Sequence, residues 1–183
     1  MELLKIDLVE VAGKIINESG TSALTVDNLS VKMGIDPKEL LVFFKQDNDI
    51  LTMMLLSLEN EMQQLFQFAL TKKQLPEEEI NCLFKMLYKL FDLKPYYLSI
   101  IFDAELMKQD TGIKNILVRI RKAAEFCLLQ LVNQGKQQKT FNIGTKTSAL
   151  VNKILVSFRM LMKDQWLSHK MVLDLEIQRR INE

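Results

Sequence analysis

Apolar residues recur along this chain at helical rather than strand spacing. Leu8, Val11, Ala12, Ile15 and Ile16 fall at i, i+3, i+4, i+7 and i+8, one buried stripe of a first helix. Gly20 is expected to stop it, since glycine takes the left-handed conformation that follows a last helical turn. Thr25 can cap a second helix whose Val26, Leu29 and Met33 share a face, with Gly34 at its end. Asp36-Pro37-Lys38-Glu39 then reads as a strong helix start. Asp36 caps, Pro37 fills a position that needs no amide proton, and Glu39 can reach back as in a capping box. This third helix is expected to be short and to reach about Phe44.

Longer helices follow. Asp47 or Asn48 is expected to cap one over about 48–72, rich in Leu, Met and Phe. Leu75-Pro76-Glu77-Glu78-Glu79 restarts the chain, its three acids placed well against the helix dipole. Pro95 and Thr111 mark further starts, and Gly135 is expected to end a helix over 112–134. The polar stretch 136–147 reads as the longest loop, and two last helices are expected near 146–165 and 169–181, separated at Ser168. The pattern predicts an all-α protein of about nine helices. Residues 1–47 would form a three-helix head, and residues 48–183 a larger helical body for ligand binding and dimerisation.

Composition supports this and narrows the chemistry. The chain has 183 residues, 48% of them apolar, with only six Gly and three Pro. That is enough for a core and too few turn residues for an all-β fold. A single histidine, His169, excludes a multi-histidine metal site, and the scattered glycines form no phosphate-binding loop. Cys82 and Cys127 lie far apart and outside any CxxC, which suits a reducing compartment. No apolar run is long enough for a membrane span, and acids stand at Glu2, Asp7 and Glu10, so a cytoplasmic protein is expected. Neither a metal nor a cofactor is expected. A small helical enzyme would need polar groups converging near Tyr88, Tyr97, Glu105 or Arg119, and no motif points there.

Two short helices joined by Met33-Gly34-Ile35-Asp36 form a candidate helix-turn-helix, whose second member lies in the DNA major groove. Leu29, Met33, Ile35, Leu40 and Phe44 would lock the pair from inside; an ordinary helical hairpin is the competing reading. Here the chain resembles the tetracycline-repressor (TetR) family of regulators. The resemblance lies in Val11-Ala12-Gly13-Lys14-Ile15-Ile16-Asn17-Glu18-Ser19-Gly20, then Leu24-Thr25-Val26-Asp27-Asn28-Leu29-Ser30-Val31-Lys32-Met33-Gly34-Ile35, with Leu40 and Phe44 following. Gln134-Gly135-Lys136-Gln137-Gln138-Lys139-Thr140-Phe141-Asn142 is similar to the connector before the family's dimer-forming helices. The resemblance implies a homodimeric regulator, with heads on operator DNA and bodies that bind a small inducer.

Departures from the family pattern fall on the surface that would face DNA. Pro37, Lys38, Glu39 and Leu41 replace the usual small, glycine, threonine and tyrosine positions, and Asp47 replaces a lysine. Residues 1–50 hold five Lys, no Arg and nine acids, a net −4, whereas residues 51–183 carry 19 basic and 14 acidic groups, a net +5. Phosphate neutralisation supplies most non-specific DNA affinity, so an acidic head opposes it. Lys38, Glu39, Val42 and Phe43 are the candidate groove residues, with Thr25 and Lys45 near phosphate. Glu39 can accept from cytosine N4, and Leu41, Val42 and Phe43 form an apolar run suited either to thymine methyls or to a protein contact.

In the body, a helix over 146–165 is apolar around most of its circumference, which calls for cover from two sides. Leu150, Ile154, Phe158, Leu161, Met171 and Leu175 are the candidate interface of a four-helix dimer seam; a wholly internal core helix is the alternative. Met62, Phe66, Phe84, Tyr88 and Phe102 are candidates for an adaptable pocket for a small apolar ligand, and ordinary packing accounts for the same residues. The expected function is a ligand-responsive repressor binding operator DNA. The alternative is a protein of the same fold that has lost DNA contact and binds a ligand or protein.

Overall fold

The stripe of Leu8, Ala12, Ile15 and Ile16 is buried along α1 (Glu2–Ser19), with Val11 half-buried beside it. In the computed structural model the backbone is described over residues 2–71 and 75–181, and side chains over 8–71, 75–106, 108, 110–168 and 170–171. The described residues form nine α-helices and one short 3₁₀ turn, with no strand. After α1 come the 3₁₀ turn Thr21–Ala23, α2 (Val26–Met33) and α3 (Pro37–Leu41). The body follows as α4 (Asp47–Thr71), α5 (Pro76–Leu93), α6 (Tyr96–Phe102), α7 (Ala104–Gln109), α8 (Thr111–Gln137) and α9 (Thr147–Ile181).

One continuous apolar core runs from Leu8 of α1 to Met162 of α9, through Leu29, Leu40, Phe44, Ile50, Leu55, Tyr97 and Ile113. Its centre is the packing of α4 against α8, the most extensive helix pair in the chain. A smaller cluster of Leu128, Val132 and Val151 joins α8 to α9. Ion pairs fasten the outside: Arg119 of α8 holds Glu59 of α4 in a two-pronged contact at 2.7 Å, and Lys94 reaches Glu61 at 2.9 Å.

Several sequence expectations need correction. The expected break at Ser168 does not occur, because α9 runs unbroken from Thr147 to Ile181. The Ser168 hydroxyl donates to the Asp164 carbonyl one turn back at 3.0 Å, so this serine is satisfied inside a helix instead of capping a new one. Gly135 does not end α8, which continues to Gln137. It is buried because the Phe141 ring packs where its Cβ would lie, and the Gly135 carbonyl accepts from the Thr140 amide at 2.8 Å as the chain turns back. The loop is therefore confined to residues 138–146. Helix α3 ends at Leu41 rather than Phe44, although the Phe44 amide still donates to the Leu40 carbonyl at 2.9 Å. Asp47 opens α4, but its carboxylate accepts from the Val26 amide of α2. Helix α7 was not anticipated; Asp103 caps it by accepting from the Glu105 and Leu106 amides at 3.0 and 3.2 Å.

The head meets the body where α1 crosses α6. Gly13 lies there because a Cβ would overlap the Tyr96 ring, itself buried. Gly13→Ala is expected to destabilise the fold by about 1–3 kcal/mol, the range for overpacking a filled core. Thermal unfolding should register this as a drop of several degrees, at about 2–4 °C per kcal/mol for a chain of this size.

Candidate nucleic-acid interface

The head is assembled by local signals and then locked by burial. The Thr25 hydroxyl accepts from the Asn28 amide at 3.1 Å and caps α2. Gly34 ends α2 at φ 67°, a left-handed conformation that turns the chain toward α3. Asp36 caps α3 by accepting from the Lys38 amide at 2.8 Å, with Pro37 at the first helical position. Leu29, Leu40 and Phe44 are buried, and Met33 and Ile35 pack against them. With Leu40 and Phe44 turned inward, Lys38, Glu39, Val42, Phe43 and Lys45 are exposed, Val42 at 77% and Phe43 at 63%. Five of the six expected DNA-facing residues thus share an open segment, while Thr25 is half-buried and committed to its cap.

The head's acidity is partly structural. Asp47 accepts from the Val26 amide at 2.8 Å and so occupies the N-terminus of α2. Asp49 accepts from the Lys45 and Gln46 amides at 2.7 and 3.1 Å, and Asp36 occupies the start of α3. Glu18 pairs with Lys32 at 2.7 Å across α1 and α2. Asp36 and Asp47 sit where helix amides and the dipole would otherwise attract a phosphate. Sequence reading placed Asp47 on its own helix; its partner 21 residues away is a tertiary fact that spacing does not reveal.

Two further carboxylates flank α7, and each makes a long-range bond while capping a helix. Asp103 uses Oδ1 to cap α7 and Oδ2 to accept from the Thr21 hydroxyl at 2.7 Å. Asp110 uses Oδ1 to accept from the Gly112 and Ile113 amides of α8, at 2.7 and 3.1 Å, and Oδ2 to accept from Asn48 at 3.0 Å. Helix α7 is thereby bracketed by two links, one to the 3₁₀ turn of the head and one to the start of α4 in the body.

The candidate pocket residues are spread between the packed core and the surface. Met62 and Phe66 are buried in the main core, Phe84 stacks on Phe158 with ring centres 4.8 Å apart, and Phe102 lies 5.5 Å from Trp166. Tyr88 is exposed. A separate cleft of about 290 Å³ lies between α4 and α5, lined by Glu61, Gln64, Leu65, Met86, Lys89, Leu90 and Leu93. Glu61 there accepts from Lys94 and, at 3.2 Å, from the Tyr97 hydroxyl. Burial, above all other causes, raises the pKa of the Tyr97 phenol. Burial also lifts the Cys127 thiol to about 11, with the Glu79 charge adding to it, so this thiol stays protonated at neutral pH. Among the described residues no cluster of His, Cys, Asp and Glu could hold a metal, and no helix is long and apolar enough to cross a membrane.

The expected seam residues divide into two groups. Leu150 and Ile154 pack on the α8–α9 cluster and Phe158 on the main core, whereas Leu161 and Met171 are exposed. The side chain of Leu175 lies outside the described residues. Val156, Met160 and Leu167, outside the expected interface set, are exposed at 50%, 64% and 47%. With Met171 they fall at intervals of four, seven and four, one stripe of α9, a signal that was available in the spacing. Val118 and Phe126 on α8 are also exposed.

No protein-family model and no curated protein matches the sequence. Solved structures do. The TetR-family regulator PfmR of Thermus thermophilus has a TM-score of 0.72 at 16% identity, covering 91% of this chain and 97% of that one. FadR of Bacillus subtilis, solved with stearoyl-CoA, has a TM-score of 0.71 at 17% identity, with coverage of 93% and 96%. The ketosteroid transcriptional regulator KstR2 of Mycobacterium tuberculosis has a TM-score of 0.70 at 17% identity, with coverage of 95% and 91%. Coverage is nearly complete on both sides and includes the head as well as the body, so the chain has the fold of the TetR-type transcriptional regulators.

Proposed function

We propose that this chain is a ligand-responsive transcriptional repressor that binds operator DNA as a homodimer. Residues 1–47 would be its DNA-reading head, and residues 48–183 its ligand-binding and dimer-forming body. The observation that carries this reading is the exposure of α3 and the turn after it, held on α2 by Leu29, Leu40 and Phe44. A short helix so placed can enter a major groove. Lys38, Glu39, Val42 and Phe43 would face the bases, with Lys45 near phosphate. Two heads must stand about 34–36 Å apart to meet successive grooves, which calls for a dimer. The exposed stripe Val156, Met160, Leu167 and Met171, with Val118 and Phe126 of α8, supports a seam between two copies.

An apolar ligand would part α4 from α5 and α8, lodging among Met62, Phe66 and Phe84. The stearoyl-CoA of the similar FadR supports that ligand chemistry. The two links at α7 would carry the displacement, since a ligand favouring one spacing of the heads shifts the population toward it. Thr21→Val removes the first link and leaves the Asp103 cap in place. It is expected to lower stability by about 1–3 kcal/mol, as for loss of a charged hydrogen bond. Amide exchange should quicken in the 3₁₀ turn and α2 more than in α8.

The test is selection of bound sequences from random duplex DNA by the full chain, followed by affinity measured against salt. Lys38 and Lys45 give about two cations per head and about four per dimer. Log K should therefore fall with log salt at a slope of about −3 to −4, shallow for a dimeric regulator. Retention of no DNA at low salt would overturn the repressor reading.

A second reading is favoured by one observation, the carboxylates that fill the starts of α2 and α3. On that reading the head no longer binds DNA and the protein is a ligand- or protein-binding module. Asp47→Asn separates the two, because the amide oxygen can still accept from Val26 while the charge is gone. Its cost to folding is about 1 kcal/mol, the difference between a charged and a neutral bond. In a working repressor it should tighten existing DNA binding severalfold at low salt, an effect that fades as salt screens it. In a degenerate head it should create affinity where the parent has none.

A further inference from the structure

We propose that the head reads its operator chiefly through thymine methyl groups, with Val42 and Phe43 as the specificity-determining residues; this deepens the repressor reading and rests on it. Three features of the head converge. First, Leu41, Val42 and Phe43 are consecutive and all exposed, at 49%, 77% and 63%, between the buried Leu40 and Phe44. Second, residues 1–50 contain no arginine, so the commonest specific contact, an arginine fork on guanine O6 and N7, is unavailable to this segment. Lys38 is the only cation on α3. Third, carboxylates already occupy the helix starts at Val26 and Lys38, which removes the amides that would otherwise grip phosphate.

With few phosphate contacts, specificity then falls to the groove floor. The thymine C5-methyl is the one apolar group a base pair presents in the major groove, and it takes aliphatic or aromatic contact. Lys38 and Glu39 lie on α3, and Val42 and Phe43 follow directly in the turn that ends it. The apolar pair is thus bordered by one cation suited to guanine and one carboxylate suited to cytosine N4. A half-site read by this surface has adjacent thymines flanked by a G·C pair. Val42 and Phe43 take no part in the core, so replacing them leaves the fold intact.

The experiment uses the full chain and the sequences it retains from random duplex DNA. Each thymine of the selected half-site is replaced in turn by deoxyuridine, which deletes a methyl and changes no hydrogen bond. One or two replacements per half-site should weaken binding by about fourfold each, the worth of one buried methylene-sized group. With Val42→Ala the penalty at the position it covers should fall toward onefold, and Phe43→Ala should do the same at its own. Selected sites that bind uracil and thymine equally would overturn the proposal and leave the repressor reading standing. Retention of no DNA would overturn both and assign the apolar run to a protein partner.

Discussion

The burial of Leu40 and Phe44 against Leu29 is the contact on which the rest of the head depends. A helix of five residues has no stability of its own, because nucleation consumes the few bonds it can make. Its order is therefore tertiary. Leu40 and Phe44 are one turn apart, so burying both fixes the rotation of the segment and leaves no choice about what faces out. Lys38, Glu39, Val42 and Phe43 are exposed as a consequence of what their neighbours bury. Each inward side chain contributes roughly 1.5–3 kcal/mol, enough to hold a single turn in place once the caps at Asp36 and Gly34 have set its ends.

The same head resolves a conflict between its charge and its fold. A net −4 over 50 residues suggests a surface hostile to DNA. Four of those acids, Glu18, Asp36, Asp47 and Asp49, are committed to holding the head together. Asp36 and Asp47 replace, from within the chain, the anion that a helix start attracts. Stability and phosphate affinity thus compete for the same amides, and in this chain the carboxylates hold them.

How much was legible in the sequence follows from how local each determinant is. Thr25, Gly34 and Asp36-Pro37 act within three residues of themselves, so the head could be read to its caps and turn. Ser168 and Gly135 were misread for one shared reason. A serine at a helix start and a serine bonded to its own preceding turn look alike in sequence, as do a glycine that ends a helix and one that admits a ring. The deciding partner of Gly135 is Phe141, six residues on. In the body the aromatic and methionine residues were visible, but their pairing was not. Phe84 meets Phe158 from 74 positions away, and nothing in either segment announces the other.

That non-local pairing also makes head and body one unit in the core. The apolar core passes without interruption from α1 into α4 and α6, so it can hold the head but cannot report on it selectively. The polar links at Thr21 and Asn48 are different in kind. Each ends on a carboxylate whose other oxygen starts a body helix, α7 or α8. A hydrogen bond is directional and fails over fractions of an ångström, whereas apolar contact tolerates sliding. A shift of α7 or α8 that leaves the core packed would therefore still pull on these two bonds. With one such directional contact to the head and one to the start of α4, α7 is placed where a shift of the body would be felt by both.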